Sequence, residues 1–168
     1  MRRLSLVLSS LLLMLAGCDH GGLDPTVTQE PGFSGQIQFL GRRPAVDSLK
    51  DLRVVAVPYY PIDTTFQLVI LKVLDGTIAF GTELTSFAAS DLPVRYELRV
   101  EPKTYPYVAI VQQYGADVFS QWRVVGVYGY SSAHPAPSPV MVRDGELTTS
   151  IDLTVDFDHL PPQPFRTP

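Results

Sequence analysis

The residues able to do chemistry are few and scattered. Three histidines occur, His20, His134 and His159. A hydrolytic triad needs a histidine held by an acid and facing a nucleophile. His134 lies among Ser131, Ser132 and Ser138 in a Pro-rich stretch, and His159 follows Asp156 and Asp158 at the end of an alternating segment. Gly32-Phe33-Ser34-Gly35 lacks the residue that separates serine from the second glycine in a nucleophile elbow, and it precedes a strand instead of joining strand to helix. No catalytic set is therefore assigned. One cysteine and three histidines are too few for a Cys/His metal centre. Asp152, Asp156 and Asp158, with Thr154 between them, are the only calcium candidates, since clustered oxygens suit a hard cation. A straight strand spaces same-face side chains about 7 Å apart, however, too far for three to share one ion. Aromatic residues are the other lead. Trp122, Tyr128 and Tyr130 fall on one side of a regular strand with Gly126 between them, while Tyr59-Tyr60-Pro61 and Tyr105-Pro106-Tyr107 mark turns. Rings at the ends of a sandwich can bind a ligand, and rings on a central strand also serve as core.

Composition limits what these residues can belong to. The chain has 168 residues, 45% hydrophobic and 18% charged, which suits one compact unit and not a disordered tail. Arg2 and Arg3 open the sequence, and Leu4 to Leu15 is apolar, broken only by small residues. That run is shorter than the ~20 residues of a spanning helix and has the shape of a secretory signal. Removing the first seventeen residues leaves 151, with eleven basic against seventeen acidic side chains, a net charge of about −6. A nucleic-acid partner needs a basic footprint, so none is expected. No cofactor is implied.

Two-residue periodicity dominates the remainder. In Val94–Glu101 every even position is apolar and every odd one charged; Ile151, Leu153, Val155 and Phe157 alternate with Asp152, Thr154, Asp156 and Asp158. Both read as half-buried strands. Further strands are predicted at Gly35–Leu40, Leu52–Val57, Thr77–Phe80, Tyr107–Gln112, Trp122–Tyr128 and Val140–Val142, separated by Gly- and Pro-bearing turns. Asp144-Gly145 predicts a hairpin between Val140–Arg143 and Glu146–Ser150. Over Thr64–Leu74 the spacing of Phe66, Val69, Ile70, Val73 and Leu74 predicts a short helix capped by Asp63 and ended by Gly76, although the Val and Ile content also suits a strand. The expected fold is all-β: a single antiparallel β-sandwich of about seven or eight strands with that one helix. Asp19 to Gly32 reads as a flexible tether reaching at most about 50 Å. Phe165 can pack back on the domain, with 166–168 as a frayed tail.

The order Leu15-Ala16-Gly17-Cys18 resembles the lipobox of bacterial lipoproteins. The resemblance implies a signal peptide over 1–17, cleavage before Cys18, diacylglycerol on its thiol and acylation of the new amine. Three acyl chains exceed the two signals needed for stable anchoring. As the only cysteine, Cys18 has no intramolecular disulfide partner. Asp19 resembles an inner-membrane retention signal of enteric bacteria, while other lineages sort differently, so the choice of membrane stays open.

Gly35-Gln36-Ile37-Gln38-Phe39, a proline-bearing turn and Leu52–Val57 resemble the opening of a transthyretin-like or carboxypeptidase-regulatory-like sandwich. Tyr96-Glu97-Leu98 followed by Thr104–Ile110 is similar to its later part, with Pro102-Lys103 where the family has glycine. Tyr107–Tyr114, Trp122–Tyr128 and Asp156–Pro162 also resemble secreted bacterial lipoproteins of this architecture. Across residues 33–165 the resemblance implies a fold and no activity. Relatives that hydrolyse 5-hydroxyisourate end in a Tyr-Arg-Gly-Ser type motif, whereas this chain ends Phe165-Arg166-Thr167-Pro168, so that activity is not implied.

The expectation is a lipidated N-terminus and tether (18–32) holding a sandwich domain (33–165) in the cell envelope, with a non-catalytic binding or scaffolding role toward a protein or glycan. The alternatives are an envelope hydrolase using His134 or His159 and a calcium-dependent adhesion module.

Overall fold

A computed structural model describes residues 29–88 and 91–165. Cys18, the signal segment, most of the tether and residues 166–168 lie outside the described residues. The elements run β1 (Gly32–Leu40), β2 (Asp51–Val57), α1 (Phe66–Leu74), β3 (Ala79–Glu83), β4 (Val94–Arg99), β5 (Thr104–Tyr105), β6 (Tyr107–Gln113), β7 (Trp122–Val127), β8 (Val140–Met141), β9 (Leu147–Thr148) and β10 (Leu153–Asp156). This is the expected all-β sandwich with one short helix. Each of the eight strand segments read from the sequence overlaps a strand, β9 falls in the expected hairpin arm Glu146–Ser150, and β5, two residues long, is additional.

Two sheets face each other. In the first, β1 is central, with β4 antiparallel on one side and β9 and β10 on the other. In the second the order is β3-β2-β6-β7, antiparallel throughout. Apolar residues of alternating parity meet between them: Phe33 and Ile37 from β1, Leu98 from β4, Val54 from β2, Ile110 from β6 and Val155 from β10. Side chains of this kind each contribute about 1.5–3 kcal/mol when fully buried.

The purely antiparallel sandwich needs correction, because β9 and β10 run parallel to β1. Alternation reveals that one face of a strand is buried and says nothing of its neighbour's direction. Parallel neighbours require a long crossover, and here the rest of the domain separates β1 from its partners. The expected hairpin is likewise only half formed. Glu146 N–H donates to Arg143 O (3.3 Å) across the Asp144-Gly145 turn, but the arms leave for different sheets, β8 to β5 and β9 to β1.

The second sheet is covered on both sides. Its outer face presents Val55, Val57, Tyr107, Ala109 and Val124 to a second apolar cluster containing Val69 of α1, Ile62 and Ile78. The molecule thus has three layers: sheet, sheet, and a thin cover of α1 and the C-terminal tail. This explains why β2 and β6 are buried almost continuously and not on alternate residues.

Candidate functional site

The thin third layer leaves space beneath it. Between α1 and the outer face of the second sheet lies a partly open crevice of about 230 Å³. Its floor includes Phe80 and Trp122, its roof Val69 and Val73, and Phe165 and Phe119 stand at its margins.

Each wall has a local cause. Helix α1 turns Val69 inward while Leu68, Leu71 and Leu74 remain exposed. Its N-cap is Thr65, two residues after the expected Asp63, and it makes no side-chain capping bond. At the other end Asp75 N–H donates to Leu71 O (3.0 Å), and Lys72 in the last turn complements the helix dipole. The Asp75 carboxylate accepts from Thr77 N–H (2.8 Å), and this hydrogen bonding holds it below the usual carboxylate range. On the floor, Phe80 meets Trp122 edge-on at 5.8 Å and carries the Arg53 guanidinium over its ring at 4.8 Å. Arg53 is itself fixed by Asp51 (2.8 Å). Trp122 Nε1–H donates to Val118 O (3.0 Å), tying the loop before β7 to the crevice margin.

The tail is held by a side-chain amide. Gln163 Oε1 accepts from Val124 N–H (2.7 Å) and its Nε2 donates to Val124 O (3.0 Å), so one glutamine supplies the paired bonds that a neighbouring strand would give to the edge of β7. Phe165 is thereby brought edge-on against Phe66 at 5.1 Å.

The crevice offers almost no polar chemistry. Of its lining side chains, only Tyr107, Trp122 and Arg123 carry polar atoms. The indole N–H is already bound to Val118, and Arg123 Nε–H donates to Gln112 Oε1 (2.9 Å) with the guanidinium over Tyr114. The Tyr107 hydroxyl is buried without a partner, and burial pushes its pKa well above the ordinary phenol value. Such a lining can hold an apolar group by exclusion of water and lacks an acid–base pair to act on it.

The aromatic residues singled out from the sequence divide between two places. Tyr59, Tyr60, Tyr107, Trp122 and Tyr130 gather on the crevice side: Tyr60 stacks on Tyr107 (5.4 Å, 10° between planes), Lys72 Nζ sits over Tyr59 at 5.4 Å, and Tyr130 packs on the same cluster. Tyr105 and Tyr128 belong instead to the core between the sheets, where Tyr105 lies beside Phe33 and its hydroxyl donates to Glu101 O. Trp122 and Tyr128 therefore do not share a face, contrary to regular alternation. A β-bulge causes this: Ile110 pairs with Gly126 and Val111 with Val124, leaving Val125 as an extra residue that reverses the parity beyond it. Gly126 is not open beside those rings either, since a Cβ there would stand 2.6 Å from Thr154 O, where β7 and β10 approach.

The carboxylates and histidines do not converge. Asp152 accepts from Gln36 N–H (2.8 Å) and Asp158 from Arg42 N–H (3.1 Å), while Asp156 faces His159 Nδ1 at 3.0 Å. Asp156 and Asp158 thus sit together beside Gly41, at the end of β1, while Asp152 lies apart beside Gln36. Among the described residues no group of three or more His, Cys, Asp or Glu side chains is placed to hold a metal ion. The His159 bond and the Asp158 N–H keep the Asp156 carboxyl below its usual range. His159 is 84% exposed at its side chain, and His134 closes an exposed turn with Ser131 through backbone bonds.

Sequence reasoning did not assemble Val73, Phe80, Phe119 and Phe165 into one site. A signal was present in α1, whose sequence Phe66–Leu74 is apolar around most of its circumference, more than a helix covering a single face requires.

No protein-family model matches the chain, and neither a curated protein nor a solved structure matches it.

Proposed function

We propose that this chain is a lipid-anchored cell-envelope protein whose sandwich binds, without catalysing a reaction, an apolar ligand of the acyl-chain kind. The observation that carries this reading is the crevice of about 230 Å³ with its nearly all-apolar lining. An apolar cavity of about 150 Å³ in another protein stays dry and takes up benzene. A larger one here suits an alkyl segment. A glycan fits less well, because its hydroxyl groups would be desolvated with few partners. Support for the anchor comes from the charged start, the short apolar run and Leu15-Ala16-Gly17-Cys18.

The test uses a delipidated chain beginning at Asp19, which retains every residue of both apolar clusters. Palmitate in hundredfold excess over its Kd should stabilise the folded form by about 2.7 kcal/mol, seen as a raised thermal midpoint. Val73→Phe, which fills the crevice from α1, should abolish the shift. A folded protein whose midpoint palmitate leaves unchanged would overturn the reading.

A further inference from the structure

The enclosed apolar surface continues onto the exterior. Leu68, Leu71 and Leu74 recur every third residue of α1 and are 49%, 55% and 72% exposed, while Val118 and Phe119 are 47% and 56% exposed. Leu74, Val118 and Phe119 also line the crevice, so its rim and its interior form one apolar surface. Single exposed leucines are ordinary on protein surfaces, but a contiguous group bordering a cavity marks a contact face.

The N-terminal end of the described chain lies near the end of α1. Glu30 and Pro31 border a hollow together with Gly76 and Thr77, the residues that follow α1 directly after Asp75. From Cys18 to Glu30 is twelve residues, a span of at most about 40 Å. A lipid on Cys18 therefore lets the C-terminal end of α1, beside which the tether joins the domain, reach the membrane. In sequence, Asp75 and Asp117 adjoin the rim residues Leu74 and Val118, and their charges cancel those of Lys72 and of Arg123 in the crevice lining, which suits a surface without strong net negative charge.

We propose that Leu68, Leu71, Leu74, Val118 and Phe119 dock on a zwitterionic lipid bilayer, so that the crevice opens toward its acyl chains. The proposal rests on the Cys18 anchor and names the source of the ligand: the membrane that holds the protein. Docking of this kind depends on the apolar area placed in the interface.

Trp122 is the only tryptophan and lines the crevice, which makes it a built-in reporter. The full processed, lipidated protein is reconstituted into phosphatidylcholine vesicles with either ordinary or brominated acyl chains. Flotation reads the anchor, and Trp122 emission reads the docking. The expected result is co-flotation with both vesicles and loss of Trp122 emission in the brominated ones. The Leu68→Gln/Leu71→Gln variant, altered only at exposed α1 positions outside the crevice lining, should still float and recover its emission. Flotation with equal emission in both vesicles would overturn the docking alone. Quenching that persists in the variant would also overturn it, placing a lipid chain in the crevice without contact between rim and bilayer. Failure to float would overturn anchor and docking together.

Discussion

At Gly35, a methyl group would stand 2.1 Å from Ile151 O, in the middle of β1 where the C-terminal chain crosses it. The Tyr96 hydroxyl, across the ladder from Gly35, donates to that same carbonyl at 2.6 Å. Ser150, at φ 65°, bends the chain between β9 and β10 so that both halves can pair with β1. Glycine is thus required here by close backbone approach and not by its torsion angles. Gly35→Ala should destabilise the fold by about 3 kcal/mol, the upper range for overpacking a tight site, read as a lowered denaturant midpoint. An unchanged midpoint would show that β1 and the 150–151 bend can separate at little cost. None of this was legible beforehand: Gly35 stood at the start of a predicted strand, and nothing local identifies Ile151 as its neighbour. The Asp144-Gly145 turn was legible because two adjacent residues specify it.

Elements were legible to the extent that they repeat. The alternation in β4 and β10 follows from one buried and one wetted face, and both strands show it in burial. The helix was legible through its 3.6-residue spacing, though its cap shifted from Asp63 to Thr65. The two-residue strands β5 and β9 are too short to show any period. The bulge in β7 leaves no mark in composition, and it separates Trp122 from Tyr128. Nor does the sequence reveal that Gln163 acts as a surrogate strand for β7. Because it serves both the N–H and the carbonyl of Val124, removing it leaves two edge groups without their partner. Gln163→Ala should cost about 1–3 kcal/mol and release Phe165 from the crevice margin. Amide exchange at Val124 should accelerate while that at Val54, between the sheets, stays slow. Equal protection at Val124 in both proteins would mean that the tail is held by other contacts.

Across the whole molecule, the two apolar clusters differ in what encloses them. The first is compressed between two sheets, and the second is covered by nine helical residues, a short tail and loop residues such as Ile62 and Tyr59. The crevice exists because a thin, detached cover cannot follow the sheet surface as a second sheet does. The crevice draws its walls from β2, α1, β3, β6, β7, the loop before β7 and the C-terminus, and it is the feature least available from sequence. Periodicity could show that β2 and β6 were apolar on both faces, but it could not show how completely the outer face was filled. The proposed anchor, by contrast, rests on contiguous residues at one end, Leu15-Ala16-Gly17-Cys18, whose order resembles a lipobox. Binding in the crevice is tested by Trp122 emission during titration of the unlipidated chain from Asp19 with palmitate. A saturable change in emission at one ligand per chain is expected, absent in folded Val73→Phe. Unaltered emission from the folded parent chain, or an equal response from Val73→Phe, would contradict it.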